Sequence, residues 1–157
     1  MKLNISETKL GVAQSFAKYL QGLIANTSET HIALSGGSTP KVVFDELALD
    51  FHDTIDWNRV HLYWGDERCV PPNDRENIPV EEAIRYSEVL ETRLPHFEGV
   101  PQFDLIILGM GDDGHTASVF PYNIHLWDSV NLCEVAIHPN SGQKRITITG
   151  KVINNSK

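Results

Sequence analysis

The sequence predicts an α/β domain with a mostly parallel sheet, extending over residues 1–157. Short apolar runs rich in β-branched residues alternate with segments in which apolar residues recur at helical spacing. Loops rich in glycine or proline directly follow three of these runs, and no internal repeat or low-complexity linker interrupts the alternation. The length of 157 residues and the 41% hydrophobic content suit one domain with a sizeable core.

The predicted elements follow in chain order. Strands are predicted at residues 2–5, 31–34, 60–64, 105–108, 132–137 and 145–149. Apolar spacing predicts helices at residues 8–25, 40–48 and 80–94. Further helices are predicted to begin at residues 116 and 151. Thr39 before Pro40 is typical of a helix start, because threonine can cap the helix and proline fits its first position.

The stretch 103–121 is the strongest indication of a functional site. Its apolar run at 105–108 predicts a strand buried on both faces. The loop that follows combines three glycines, two aspartates and a histidine: Gly109, Gly111, Asp112, Asp113, Gly114 and His115. Imidazole accepts a proton near neutral pH, and a neighbouring carboxylate, Asp113 or Asp112, can orient it. We therefore predict that His115 is a general base.

The other potential chemistries of the chain are less well supported. Asp112, Asp113 and His115 have no second histidine or cysteine at ligand spacing, so we predict no metal site. No serine lies in a Gly-x-Ser-x-Gly sequence, which favours attack by water over a serine nucleophile. The remaining histidines are interpreted as structural: His31, His52, His61, His96, His125 and His138.

Two further loops are expected to join the first one, because ligands bind beyond the carboxyl ends of parallel strands. Residues 35–40, Ser-Gly-Gly-Ser-Thr-Pro, offer backbone N–H groups, hydroxyls and a helix start, which favour a phosphate; the alternative is a plain capped turn. They match neither of the common nucleotide-binding glycine motifs. Residues 65–72 offer Arg68, which can bind phosphate or carboxylate, beside two carboxylates; the alternative is a surface ion-pair cluster. Pro71 and Pro72 would stiffen that loop.

Charge and composition exclude some classes of partner. The net charge of −8 argues against nucleic acid or an anionic membrane surface as the main partner. The two cysteines imply no disulfide framework and favour a reducing compartment. No apolar run approaches the length of a signal peptide core or a membrane span. We therefore expect a cytoplasmic enzyme or binding protein.

The three loops together resemble the glucosamine-6-phosphate isomerase/6-phosphogluconolactonase family. Residues 33–40 resemble both branches of the family, whereas 64–71 and 108–121 match the lactonase branch, and residues 145–149 match a later family strand. The resemblance implies a three-layer sandwich with a Rossmann-like sheet. It also implies hydrolysis of 6-phospho-D-glucono-1,5-lactone to 6-phospho-D-gluconate in the oxidative pentose phosphate pathway, with no organic cofactor.

The resemblance also assigns roles to individual residues. His115 would activate water and Asp113 would orient it. The substrate phosphate would be held by residues of the first two loops and by a basic residue at the last strand: Gly36, Gly37, Ser38, Thr39, Arg68, and either Lys144 or Arg145. The remaining alternatives are a deaminase-like sugar-phosphate isomerase and a non-catalytic sugar-phosphate-binding protein.

The chain departs from the family pattern in two places. Near residues 76–77 an internal family segment, comprising a helix and a strand, is expected to be lacking. The C-terminal strand and helix of the family are likewise expected to be lacking after residue 157.

Overall fold

The structure is a computed structural model that describes residues 3–69 and 78–157. Its helices are α1 (Lys9–Ala25), α2 (Ser38–Asp50), α3 (Ile78–Arg93) and α4 (Gly150–Ile153), with 3-10 helices at Trp57–Arg59 and Pro121–Trp127. Its strands are β1 (Thr30–Leu34), β2 (Val60–Trp64), β3 (Asp66–Arg68), β4 (His96–Phe97), β5 (Val100–Pro101), β6 (Leu105–Ile106), β7 (Cys133–Ile137) and β8 (Lys144–Ile148). The predicted α/β class is confirmed. No helix among these described residues is long and apolar enough to cross a membrane.

The described part of the chain comprises two compact units. The first contains the residues up to His31 together with Gly36–Leu62, and its helices α1 and α2 pack against each other. Helix α1 confirms its prediction: the Thr8 hydroxyl accepts a hydrogen bond from the Gly11 N–H at 3.0 Å, which caps the helix. Its buried side chains recur three or four residues apart and form one apolar face: Ala13, Ala17, Leu20 and Ile24.

Helix α2 begins earlier than its sequence predicts. Gly37, not Thr39, occupies the cap position, and no side chain caps the helix. Gly37 has a φ of +112°, a region that favours glycine, so the chain can turn into the helix one residue before the threonine. Thr39 and Pro40 therefore lie in the first turn.

The second unit contains Ile32–Ser35 and Tyr63–Lys157 and includes most of the sheet structure. Strands β2, β1 and β6 form one three-stranded sheet in that order, and β1 pairs with β6 in parallel. Strands β3, β8 and β7 form a second three-stranded sheet that is antiparallel throughout. This antiparallel sheet is absent from the sequence-based expectation, which placed residues 66–68 in a loop. Their polar sequence, Asp-Glu-Arg, gives no apolar signal because they form an edge strand.

The core of the second unit is built from α3, α4 and the two sheets. One apolar cluster contains four side chains that are fully buried: Leu90, Phe103, Ile148 and Val152. The Tyr86 hydroxyl joins α3 to the end of β2 by donating to the Trp64 carbonyl at 2.8 Å. Burial of the Tyr86 phenol raises its pKa, so this hydroxyl remains protonated and available as a donor.

Three further predictions are wrong. The strand predicted at 2–5 is not formed in its described residues, 3–5. The strand predicted at 105–108 covers only Leu105–Ile106, which are half-buried, and Leu108 is exposed. Residues 116–119 form a tight turn instead of a helix, because Ala117 adopts a left-handed φ of +48° and Val119 N–H bonds back to the Thr116 carbonyl. The predicted stiffening by Pro71 and Pro72 and the departure near 76–77 lie outside the described residues.

Candidate active site

The glycine-rich loop after β6 folds back on itself through its own hydrogen bonds. The Gly111 N–H donates to the His115 carbonyl at 2.9 Å, and the Thr116 hydroxyl donates to the Gly109 carbonyl, also at 2.9 Å. Gly114 supplies the reversal with a φ of +85°. The loop is thereby fixed across its base, and His115 is held at a defined place within it.

His115 and Asp113 form a hydrogen-bonded pair. The Nδ1 atom of His115 lies 2.5 Å from Oδ1 of Asp113, and the same oxygen accepts the His115 backbone N–H at 3.2 Å. These hydrogen bonds lower the pKa of the Asp113 carboxyl, with the imidazole bond the larger cause. Because a carboxylate only accepts hydrogen bonds, Nδ1 carries the hydrogen of this bond, and in the neutral form of the imidazole the lone pair is on Nε2.

Gly111 is required by the position of this imidazole. A Cβ atom placed on Gly111 would overlap Cε1 and Nδ1 of His115 and would lie 3.0 Å from Oδ1 of Asp113. The absence of a side chain at 111 therefore gives the histidine ring its space. The imidazole also lies near Phe120, which is fully buried and whose ring centroid is 4.6 Å from that of His115.

A guanidinium also lies over the ring of Phe120. Arg145 Cζ is 5.7 Å from the centre of the Phe120 ring, and only 12% of the arginine side chain is exposed. Its Nη1 lies 3.7 Å from Oδ2 of Asp66, whereas its buried Nε has no hydrogen-bond partner. A buried donor without a partner is costly, and an arginine so placed is suited to receive an anion.

The pairing of β3 with β8 brings a second arginine beside the first. Arg68 is directly opposite Arg145, and Asp66 is opposite Thr147. Side chains directly opposite on antiparallel strands are neighbours on the same face, and two like charges there repel each other unless an anion lies between them. The face therefore combines two cations with one carboxylate.

Ser118 ties the loop to this face of the sheet. Its hydroxyl donates to Oδ2 of Asp66 at 2.6 Å, and its backbone N–H donates to the Thr147 hydroxyl at 3.1 Å. Asp66 is thus held by a neutral donor, which leaves Arg145 only partly neutralised. Thr147 and Phe120 are not among the sequence-predicted candidates, and Asp66 is considered there only as a carboxylate beside Arg68. The alternation of Asp66 and Arg68 in β3 is the signal that indicates their shared face.

The remaining predicted residues are placed as follows. Lys144 is exposed and, as the neighbour of Arg145 in β8, faces the other side of the sheet. Ser35, at the end of β1, lies beside the start of the glycine-rich loop, since a Cβ on Gly109 would be 3.7 Å from its hydroxyl. The predicted phosphate-binding residues of the first loop belong to the first unit, at the start of α2: Gly36, Gly37, Ser38 and Thr39.

Comparison with known proteins gives one consistent result. The chain matches the family model described as glucosamine-6-phosphate isomerases/6-phosphogluconolactonase over residues 5–79 and 75–157. It is 39% identical to the 6-phosphogluconolactonase of Treponema pallidum over 183 aligned residues, which cover 99% of this chain and 76% of the relative. The 6-phosphogluconolactonase of Haemophilus influenzae is 41% identical over 174 residues, covering 93% and 71%.

Solved structures agree with these sequence matches. The crystal structure of the devB protein superposes with a TM-score of 0.88 at 37% identity, covering 98% of this chain and 76% of that one. The 6-phosphogluconolactonase of Trypanosoma brucei superposes with a TM-score of 0.86 over 98% of this chain and 78% of that one, and at 23% identity it shows the fold alone. Sequence, fold and the order of the motifs place this chain in the glucosamine-6-phosphate isomerase/6-phosphogluconolactonase family.

Proposed function

We propose that this protein hydrolyses 6-phospho-D-glucono-1,5-lactone to 6-phospho-D-gluconate, a step of the oxidative pentose phosphate pathway. The partner is thus a small phosphorylated sugar lactone, and neither nucleic acid nor a membrane is required. The observation that carries the proposal is the His115–Asp113 pair, which shares the buried ring of Phe120 with the partly neutralised guanidinium of Arg145. A base beside an anion-binding group is what a phosphorylated ester needs.

The reaction begins with water at the lactone carbonyl. Nε2 of His115 removes a proton from the water as the oxygen attacks the carbonyl carbon, and Asp113 stabilises the resulting imidazolium. The imidazolium then returns the proton to the ring oxygen as the carbon–oxygen bond breaks. One water is consumed and one carboxylic acid and one hydroxyl are formed, with no cofactor. General-base catalysis of this kind contributes roughly 10²–10⁴-fold in rate.

Two groups of residues serve the substrate phosphate in this proposal. Arg68 and Arg145 supply positive charge. We favour Arg145 over Lys144, because Arg145 is the half-buried, partly neutralised member of the two. The loop at the start of α2 supplies backbone donors: Gly36, Gly37, Ser38 and Thr39. This assignment is supported by the first turn of α2, which has neither a capping side chain nor an acidic residue. The N-terminus of the helix is therefore suited to bind an anion.

The proposal includes the cellular compartment of the protein and its domain organisation. We place it in the cytoplasm, supported by two free cysteines and by the net charge of −8. We also propose a single hydrolytic domain that lacks an internal family segment near residues 76–77. The support is that the family model matches the chain in two pieces that meet at residues 75–79.

The test is hydrolysis of freshly generated 6-phosphogluconolactone, followed by coupled oxidation of the product. His115→Ala is expected to lower kcat by at least about 100-fold with KM little changed, which is the lower end of general-base effects. His96→Ala is the control, since His96 is an exposed histidine of the same unit that is likewise paired with a carboxylate, that of Glu91, 3.4 Å away. A normal rate for His115→Ala would remove the general-base assignment. A wild-type protein that binds the lactone without hydrolysing it would favour the non-catalytic alternative.

A further inference from the structure

A second cluster of chemically active side chains lies in the first unit. One potential metal-ligand atom from each of three side chains lies within 4.8 Å of the other two. The three residues are Glu29, His31 and His61. Glu29 precedes β1, His31 is the second residue of β1, and His61 is the second residue of β2. The lactonase mechanism uses none of the three.

The geometry of the cluster resembles an open ligand set. Oε2 of Glu29 lies 3.8 Å from Nε2 of His61 and 4.0 Å from Nε2 of His31, so one carboxylate oxygen faces both imidazoles. These separations exceed hydrogen-bond length. The two rings are stacked, with centroids 4.7 Å apart and planes 13° apart. Both Nε2 atoms therefore lie on the same side of the stack, toward the carboxylate.

We propose that Glu29, His31 and His61 form a binding site for a divalent transition metal ion of the Zn²⁺ class. Bonds of about 2.0–2.2 Å to nitrogen and oxygen place tetrahedral ligand atoms about 3.4 Å apart. The cluster reaches that spacing when its atoms approach by about an ångström. Three protein ligands leave the fourth position of the tetrahedron to water.

The burial of the three side chains allows this closure. His31 is 9% exposed in its side chain and provides a fixed ligand, whereas His61 is 44% exposed and Glu29 66% exposed. The two exposed side chains can move toward the fixed one, and they leave a path for the ion from solvent. Two imidazoles select Zn²⁺, Ni²⁺ or Cu²⁺ over Mg²⁺, which prefers oxygen ligands.

The experiment measures Zn²⁺ affinity by competition with a chromophoric chelator at neutral pH, with Mg²⁺ as a second probe. The wild-type protein is expected to bind one Zn²⁺ and to show a Zn²⁺-dependent rise in Tm. His61→Ala and Glu29→Gln are each expected to weaken binding by at least tenfold. Both residues are exposed, so these variants should fold. His52→Ala is the matched control, because His52 is an exposed histidine 2.9 Å from Asp53 and belongs to no group of three potential ligands among the described residues.

Each outcome decides the proposal. One bound Zn²⁺ that is retained in His52→Ala and lost in both cluster variants supports it. No binding tighter than about 100 μM, or Zn²⁺ binding that persists unchanged in His61→Ala and Glu29→Gln, overturns it. A lower Tm for His61→Ala in the absence of metal, with no Zn²⁺ dependence in the wild type, would assign the stacked histidines a purely structural role and also overturns it.

Discussion

Replacing Arg145 with methionine should separate activity from stability. Among residues 3–69 and 78–157, the guanidinium has one ion-pair contact, 3.7 Å from Asp66, and a buried Nε with no hydrogen-bond partner. Hydrogen bonds to charged groups contribute about 1.5–3 kcal/mol each. Loss of such bonds to the substrate should cost about 3 kcal/mol, which is roughly a 100-fold decrease in kcat/KM. KM should account for most of the decrease, because the arginine binds the substrate and does not transfer a proton.

Stability should change much less than activity in this variant. Methionine removes the unpartnered Nε, whose burial costs about 1–3 kcal/mol. It also removes the contact with Phe120, worth about 0.5–1 kcal/mol, and the long ion pair with Asp66. Asp66 keeps the Ser118 hydroxyl as a donor at 2.6 Å. These contributions offset one another, so the free energy of unfolding should change by about 1 kcal/mol or less.

The assays are steady-state lactone hydrolysis and urea denaturation. Arg85→Met is the control, since Arg85 is an exposed arginine on α3 paired with Glu82, and its loss should leave both measurements unchanged. The reasoning would be refuted by a kcat/KM within twofold of wild type. It would equally be refuted if Arg145→Met lost about 3 kcal/mol of stability, since the arginine would then be a structural residue.

Three further predictions concern the loop and the core. Gly111→Ala should displace the His115 ring and lower kcat by at least tenfold with a normal circular dichroism spectrum; an unchanged kcat would contradict the stated reason for a glycine there. Because hydrogen bonds lower the pKa of Asp113, the pair stabilises the fold above the unfolded carboxyl pKa, near ~3.9, and this contribution disappears as pH falls through the lower folded value. Carboxyl NMR titration should show Asp113 titrating below the ordinary aspartate value, and a normal midpoint would contradict the pairing. Gly150→Ala should lower stability by about 1–3 kcal/mol in a thermal melt, since its Cβ would overlap the Trp127 carbonyl, and an unaltered Tm would show that the turn adapts.

The sequence was informative where periodicity is strong. Helix α1 follows from apolar residues at helical spacing and from the Thr8 cap, and strand β8 follows from its alternating isoleucines. The His115 loop was identified because glycines and carboxylates rarely follow an apolar run without a functional reason. Its pairing with Asp113, one of two aspartates considered, required coordinates.

Other features depend on contacts that no local pattern encodes. Strand β3 exists because it pairs with β8, and only that register places Arg68 opposite Arg145. A helix is predicted to begin at residue 116, yet the left-handed φ of Ala117 excludes a helix there. His31 and His61 are separated in sequence and become neighbours only because β1 and β2 lie side by side in the sheet.

The most direct test of the central claim is a crystal structure of the protein with bound 6-phosphogluconate. We expect the carboxylate carbon of the product to lie within about 4 Å of Nε2 of His115, with Nδ1 still hydrogen-bonded to Asp113. A product molecule bound with that carbon out of reach of Nε2 would contradict it.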